Sequence, residues 1–127
     1  MPKPRIAITM GDPAGIGPEI CIDLLNDQEI SGQCIPIVFG DWNILQACAD
    51  KTNKSFVASK ISVSEFSDIH NPAVFDHAII GPTNFTPGTA DAKTGQATYN
   101  YITSAIETTQ AGKINAVVTC PANKEAM

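Results

Sequence analysis

The sequence predicts an α/β fold, a layered α/β/α sandwich around a mostly parallel sheet, and three observations carry that prediction. Short β-branched runs alternate with helix-spaced apolar patterns, which implies right-handed βαβ units. The first such run enters a helix through a Gly-rich loop. The last, Lys113-Ile-Asn-Ala-Val-Val-Thr119, is apolar enough for a central strand covered on both faces.

Arg5-Ile-Ala-Ile-Thr9 alternates as a strand should and leads into Gly11-Asp-Pro-Ala-Gly-Ile-Gly17. Pro18 suits the first turn of a helix, where its missing N–H costs nothing, and Glu19 complements the positive helix end. Ile20, Cys21, Leu24 and Leu25 give that helix its apolar face, with an end near Asn26 or Asp27. Residues 34–40 form a second strand, in which Pro36 predicts an edge position or a late start. Asp41 can cap a helix from Trp42 to about Thr52, with Ile44, Leu45 and Cys48 facing inward. Residues 56–63 suggest one or two minor strands, and Asn71-Pro72 marks a turn. Ala78-Ile-Ile80 reads as a short buried strand, followed by an irregular loop over 83–89. A helix then runs from about Asp91 to Ala111, with Ala97, Tyr101, Ile102, Ala105 and Ile106 on one face and Gly112 as its stop.

No linker, repeat or low-complexity tract divides the 127 residues, so no internal boundary is expected. The chain stops a few residues into a new helix after its best strand, and the fold therefore reads as incomplete. Charged residues make up 17% and the net charge is −5, which argues against nucleic-acid and anionic-membrane surfaces. No run approaches a membrane span, and the apolar stretch before Gly11 is too short for a signal peptide, so a cytoplasmic location is the default. Cys21, Cys34, Cys48 and Cys120 show no metal-ligand spacing and read as reduced thiols.

Chemistry concentrates in two places. The loop Gly11–Gly17 ahead of a helix exposes backbone N–H groups that favour an anion, yet its spacing is neither the dinucleotide nor the P-loop pattern. Gly11, Gly15 and Gly17 thus serve either ligand contact or a tight turn. Asp12 could orient a substrate hydroxyl or cap the turn. Thr119, Asn123 and Lys124 follow the best strand at its carboxyl end, where α/β sheets bind ligands. Lys124 could meet a phosphate, a carboxylate or a developing alkoxide, or be a solvated helix-start lysine. No histidine is evident near Cys120 to activate it as a nucleophile. His70 and His77 read as surface or turn residues that do not amount to a metal site.

Ile8-Thr-Met-Gly-Asp-Pro-Ala-Gly-Ile-Gly-Pro-Glu19 resembles the opening signature of the 4-hydroxythreonine-4-phosphate dehydrogenases. Pro87-Gly-Thr-Ala-Asp-Ala-Lys-Thr-Gly-Gln96, the helix through Tyr99 and Tyr101, and Ala116-Val-Val-Thr-Cys-Pro-Ala-Asn-Lys-Glu-Ala126 are similar to the family's next blocks, in order. The resemblance implies an isocitrate/isopropylmalate-dehydrogenase-like fold and a role in pyridoxal phosphate synthesis. It implies oxidation of 4-phosphooxy-L-threonine with NAD or NADP, followed by decarboxylation. It further implies a divalent metal (Zn, Mg or Co) held by histidines, and a homodimeric, two-domain enzyme of which residues 1–127 are the N-terminal α/β portion. The family's Gly-His-Thr-Glu segment and its metal-binding histidines have no counterpart among these residues, so the resemblance places no metal ligand in this chain. His70 and His77 match none of them. What carries over is the Gly11–Glu19 loop with Asp12, and Asn123-Lys124, with Asp12 and Lys124 the catalytic candidates. The cofactor-binding residues stay unknown.

Two further readings stand beside this one. Relatives act on other 4-phospho four-carbon acids, such as threonate or erythronate phosphate. Alternatively, the chain is a non-catalytic anion-binding module built on its Gly-rich loop. The dehydrogenase reading carries two expectations: the 127 residues alone are inactive, and residues 114–119 leave apolar surface exposed.

Overall fold

A computed structural model describes residues 3–62, 69–78 and 92–121. Along the chain run β1 (Arg5–Thr9), α1 (Gly17–Asn26), α2 (Gln28–Gln33), β2 (Ile35–Gly40), α3 (Trp42–Lys51), β3 (Ser59–Ile61), β4 (Ala73–Asp76), α4 (Ala92–Gln110) and β5 (Ala116–Thr119). The strands form one sheet in the order β3-β4-β2-β1-β5, with every neighbouring pair parallel. The chain moves along the sheet from β1 to β2 and on to the edge strand β3, steps back to β4, then crosses through α4 to β5. Right-handed crossovers therefore put α1 and α3 on one face and α4 on the other. Their contacts agree: α1 packs on α3, while α4 packs on β1, β2 and β5. This is the expected α/β sandwich.

Its core is β2, buried at every position from Ile35 to Gly40. Ile37, Val38 and Phe39 are fully enclosed, with Ala7, Ile8, Met10, Ile22, Leu45, Val74 and Tyr101 around them. Pro36 does not mark an edge. The Ile35 N–H donates to the Pro4 carbonyl on the β1 side, so the Pro36 nitrogen faces the β4 side. Pairing with β4 begins only at Ile37, and no ladder bond is lost there.

Other expectations need correction. β5 is an edge strand among the described residues, bonded to β1 alone, and Val118 is 51% exposed. Apolar density reported the strand but not its neighbours. A strand not expected, β4, follows directly after Asn71-Pro72. Of the expected strand Ala78-Ile-Ile80, Ala78 is described, outside any strand and with φ +50°; Ile79 and Ile80, like the loop over 83–89, lie outside the described residues. The helix α2 was not expected. Asp27 nucleates it by accepting from the Glu29 and Ile30 N–H groups at 2.9 and 3.2 Å. In α1, Cys21, Ile22 and Leu25 are buried while Ile20 and Leu24 are only partly covered. In α4 the buried stripe holds Thr94 and Thr98 beside Ala97, Tyr101 and Ala105, whereas Ile106 is exposed.

Candidate functional site

The carboxyl ends of β1, β2 and β5 lie side by side, and three backbone hydrogen bonds tie together the segments that leave them. The Met10 N–H donates to the Phe39 carbonyl (3.0 Å), the Cys120 N–H to that of Thr9 (3.1 Å), and the Asp12 N–H to that of Pro121 (3.2 Å). The two stretches singled out in the sequence, distant along the chain, thus meet at one corner of the sheet.

The glycines divide by cause. Gly11 has φ +76°, and a Cβ there would overlap the Pro121 carbonyl oxygen. A Cβ on Gly17 would overlap the Met10 carbonyl oxygen. Both are required by the fold. Gly15 is exposed, with only ordinary contacts to Asp12 at 3.5 Å, so internal packing does not explain it. The turn-capping role of Asp12 is realised: its Oδ1 accepts the Ala14 N–H (2.9 Å), and its carbonyl accepts the Gly15 N–H (2.9 Å). No side chain caps the N-terminus of α1, which leaves first-turn amides for water or a ligand. Glu19 pairs with Lys54 at 2.8 Å, and Lys54 also reaches Asp23 at 3.0 Å, so that cation is held away from the loop. Thr119 ends β5 and is exposed beside the corner. Asn123 and Lys124 lie outside the described residues.

Cys120 has a thiol partner, the buried Cys21 of α1, with the sulfurs 3.8 Å apart. The hydrogen bond to Cys120, together with burial, pushes the Cys21 thiol well above its ordinary range. The bond from Cys21 lowers that of Cys120.

Sequence reasoning missed a second polar group. The Tyr101 hydroxyl of α4 donates to the Asp41 carboxylate, and both side chains are buried. Burial, then the Asp41 charge, drives the Tyr101 phenol far above its ordinary value. Asp41 therefore occupies the helix-cap position of α3 without capping it; Asp76 of β4 does so from across the sheet, accepting the Trp42 N–H at 3.0 Å. His77, read as a surface or turn residue, is half-buried. It follows β4, its ring packs against Phe39, Phe75 and Tyr101, and its Nδ1 donates to the Phe75 carbonyl at 2.9 Å. A tyrosine inside an apolar helical stripe was the available signal, because its hydroxyl needs a buried partner.

Among the described residues no three His, Cys, Asp or Glu side chains gather as a metal site, and no helix is long and apolar enough to cross a membrane. The described residues do not fit a divalent metal, and the loop lacks the dinucleotide spacing.

A parallel sheet whose glycine loop and last strand converge at their carboxyl ends defines an α/β ligand-binding class. Comparison with known proteins sharpens it. Residues 32–127 match the family model of pyridoxal phosphate biosynthetic protein PdxA, and the chain belongs to that family. It is 36% identical over 129 residues to the 4-hydroxythreonine-4-phosphate dehydrogenase of Trichlorobacter lovleyi, covering 99% of this chain and 38% of that protein. It is 33% identical over 132 residues to the D-threonate 4-phosphate dehydrogenase of Pectobacterium atrosepticum, covering 96% and 38%. The crystal structure of a 4-hydroxythreonine-4-phosphate dehydrogenase from Burkholderia phymatum superposes with a TM-score of 0.86 at 34% identity, covering 98% of this chain and 38% of that one. The fold is thus isocitrate-dehydrogenase-like, and the chain spans about 38% of the length of these relatives.

Proposed function

We propose that this chain supplies the substrate-phosphate side of a dehydrogenase that oxidises 4-phosphooxy-L-threonine with NAD or NADP in pyridoxal phosphate synthesis. The observation that carries the reading is the corner where the Gly-rich loop is bonded to Pro121 at the carboxyl ends of β1 and β5. The exposed Gly15 lets a phosphate approach the uncapped first turn of α1. Asp12 and Thr119 orient the substrate hydroxyl, and Asn123 and Lys124, next in sequence, meet phosphate or the developing alkoxide. A bound nicotinamide would supply the hydride acceptor, and this chain's residues bind and orient the substrate. The complete enzyme is a cytoplasmic homodimer that also uses a divalent metal, and the 127 residues alone bind substrate without turning it over.

A second reading, oxidation of D-threonate 4-phosphate, is favoured by the 33% identity to the Pectobacterium enzyme of that name. Nucleotide reduction assayed with both substrates decides between them. This chain, paired with the remaining length of a relative, is expected to reduce NAD or NADP with 4-phosphooxy-L-threonine. Turnover of D-threonate 4-phosphate alone would replace the first reading with the second, and turnover of neither would sink both.

A further inference from the structure

Cys21 and Cys120 lie in different elements, one in α1 and the other just past β5, yet their sulfurs are 3.8 Å apart. The Cys120 Cβ would lie 3.4 Å from a Cβ built on Gly17, so the pair sits under the start of α1. A disulfide needs sulfurs at about 2.05 Å, so closure asks each side chain to move by roughly 1 Å.

We propose that Cys21 and Cys120 are a modification site at which a hydroperoxide converts two thiols into a disulfide that fastens α1 to the end of β5. Cys120, 8% exposed against none for Cys21, is the sulfur that meets the peroxide. Its thiolate attacks one peroxide oxygen; the S–O bond forms, the O–O bond breaks, and the alcohol leaves with a proton. The Cys21 sulfur then attacks the resulting sulfenic acid; the S–S bond forms, the S–O bond breaks, and hydroxide leaves with the Cys21 proton as water. Two thiols and one hydroperoxide thus give one disulfide, one alcohol and one water. The hydrogen bond that lowers the Cys120 thiol favours this order of attack. Cys34 and Cys48, both less buried, serve as internal controls.

The test treats the full chain with hydrogen peroxide, blocks remaining thiols, and maps the products by peptide mass spectrometry before and after dithiothreitol. The expected product is a Cys21–Cys120 linked peptide that dithiothreitol reverses, with Cys34 and Cys48 still alkylated. In Cys21→Ser, a dimedone adduct should collect at Cys120. Links through Cys34 or Cys48, sulfinic acid at Cys120 with Cys21 free, or four unreacted thiols would each overturn the proposal. So would a Cys21→Ser chain whose dimedone label falls only on Cys34 or Cys48.

Discussion

Gly17 and Gly15 sit two residues apart and answer to different constraints, which makes them the sharpest pair to substitute. Gly17→Ala drives a methyl into the Met10 carbonyl and should cost about 1–3 kcal/mol in chemical denaturation. Gly15→Ala should change stability by no more than about 0.5 kcal/mol while weakening phosphate binding by calorimetry. Tyr101 gives a prediction in pH. Its phenol is held far above the ordinary 10.0 by burial and by Asp41, so the stabilisation is complete below pH 10. Above that the unfolded chain releases a proton that the folded one keeps, and stability should fall by about 1.4 kcal/mol per pH unit. Tyr101→Phe should make the alkaline fall shallower by that amount, the raised Cys21 thiol still contributing to it, while costing about 1–3 kcal/mol at neutral pH through the lost bond to a carboxylate. Of these residues the glycines were legible in sequence as a group. Which of them the fold requires was not, because that depends on Pro121 arriving from the far end of the chain and on the loop turning Gly17 back onto Met10.

Helix ends show how far local signals reach. The span of α1, the start of α3 and the Gly112 stop of α4 were readable because their punctuation is local. The cap of α3 was misplaced: Asp41 had the right position, but Tyr101 claims its carboxylate and Asp76 caps instead. Asp76→Ala should therefore cost about 1 kcal/mol in thermal or chemical unfolding, since it also releases the Ala78 N–H and Lys60. At β5 composition read correctly as strand, and the apolar exposure expected over residues 114–119 is present at Val118. The central position is not realised among the described residues, because edge and centre differ in partners supplied by distant segments. The half-exposed Val118 on that edge should promote association at raised concentration, and Val118→Lys should raise the monomer fraction in sedimentation.

At the scale of the whole molecule, strand–helix alternation sufficed for the α/β class, and chain handedness for the layers. The order β3-β4-β2-β1-β5 was not readable, since nothing local says that the last strand returns to lie beside the first. That return is what assembles the candidate site. It carries Thr119 and Pro121 to the loop after β1, and the family match runs through both stretches. The most direct test of this account is an amide-resolved NMR titration of the chain with 4-phosphooxy-L-threonine. The account predicts saturable shifts concentrated at Gly11, Asp12, Gly15, Gly17, Thr119 and Cys120. Shifts confined to the opposite end of the sheet, where Lys3, Arg5, His70 and Asn115 line a cavity of about 580 Å³, would contradict it, as would no shift at all.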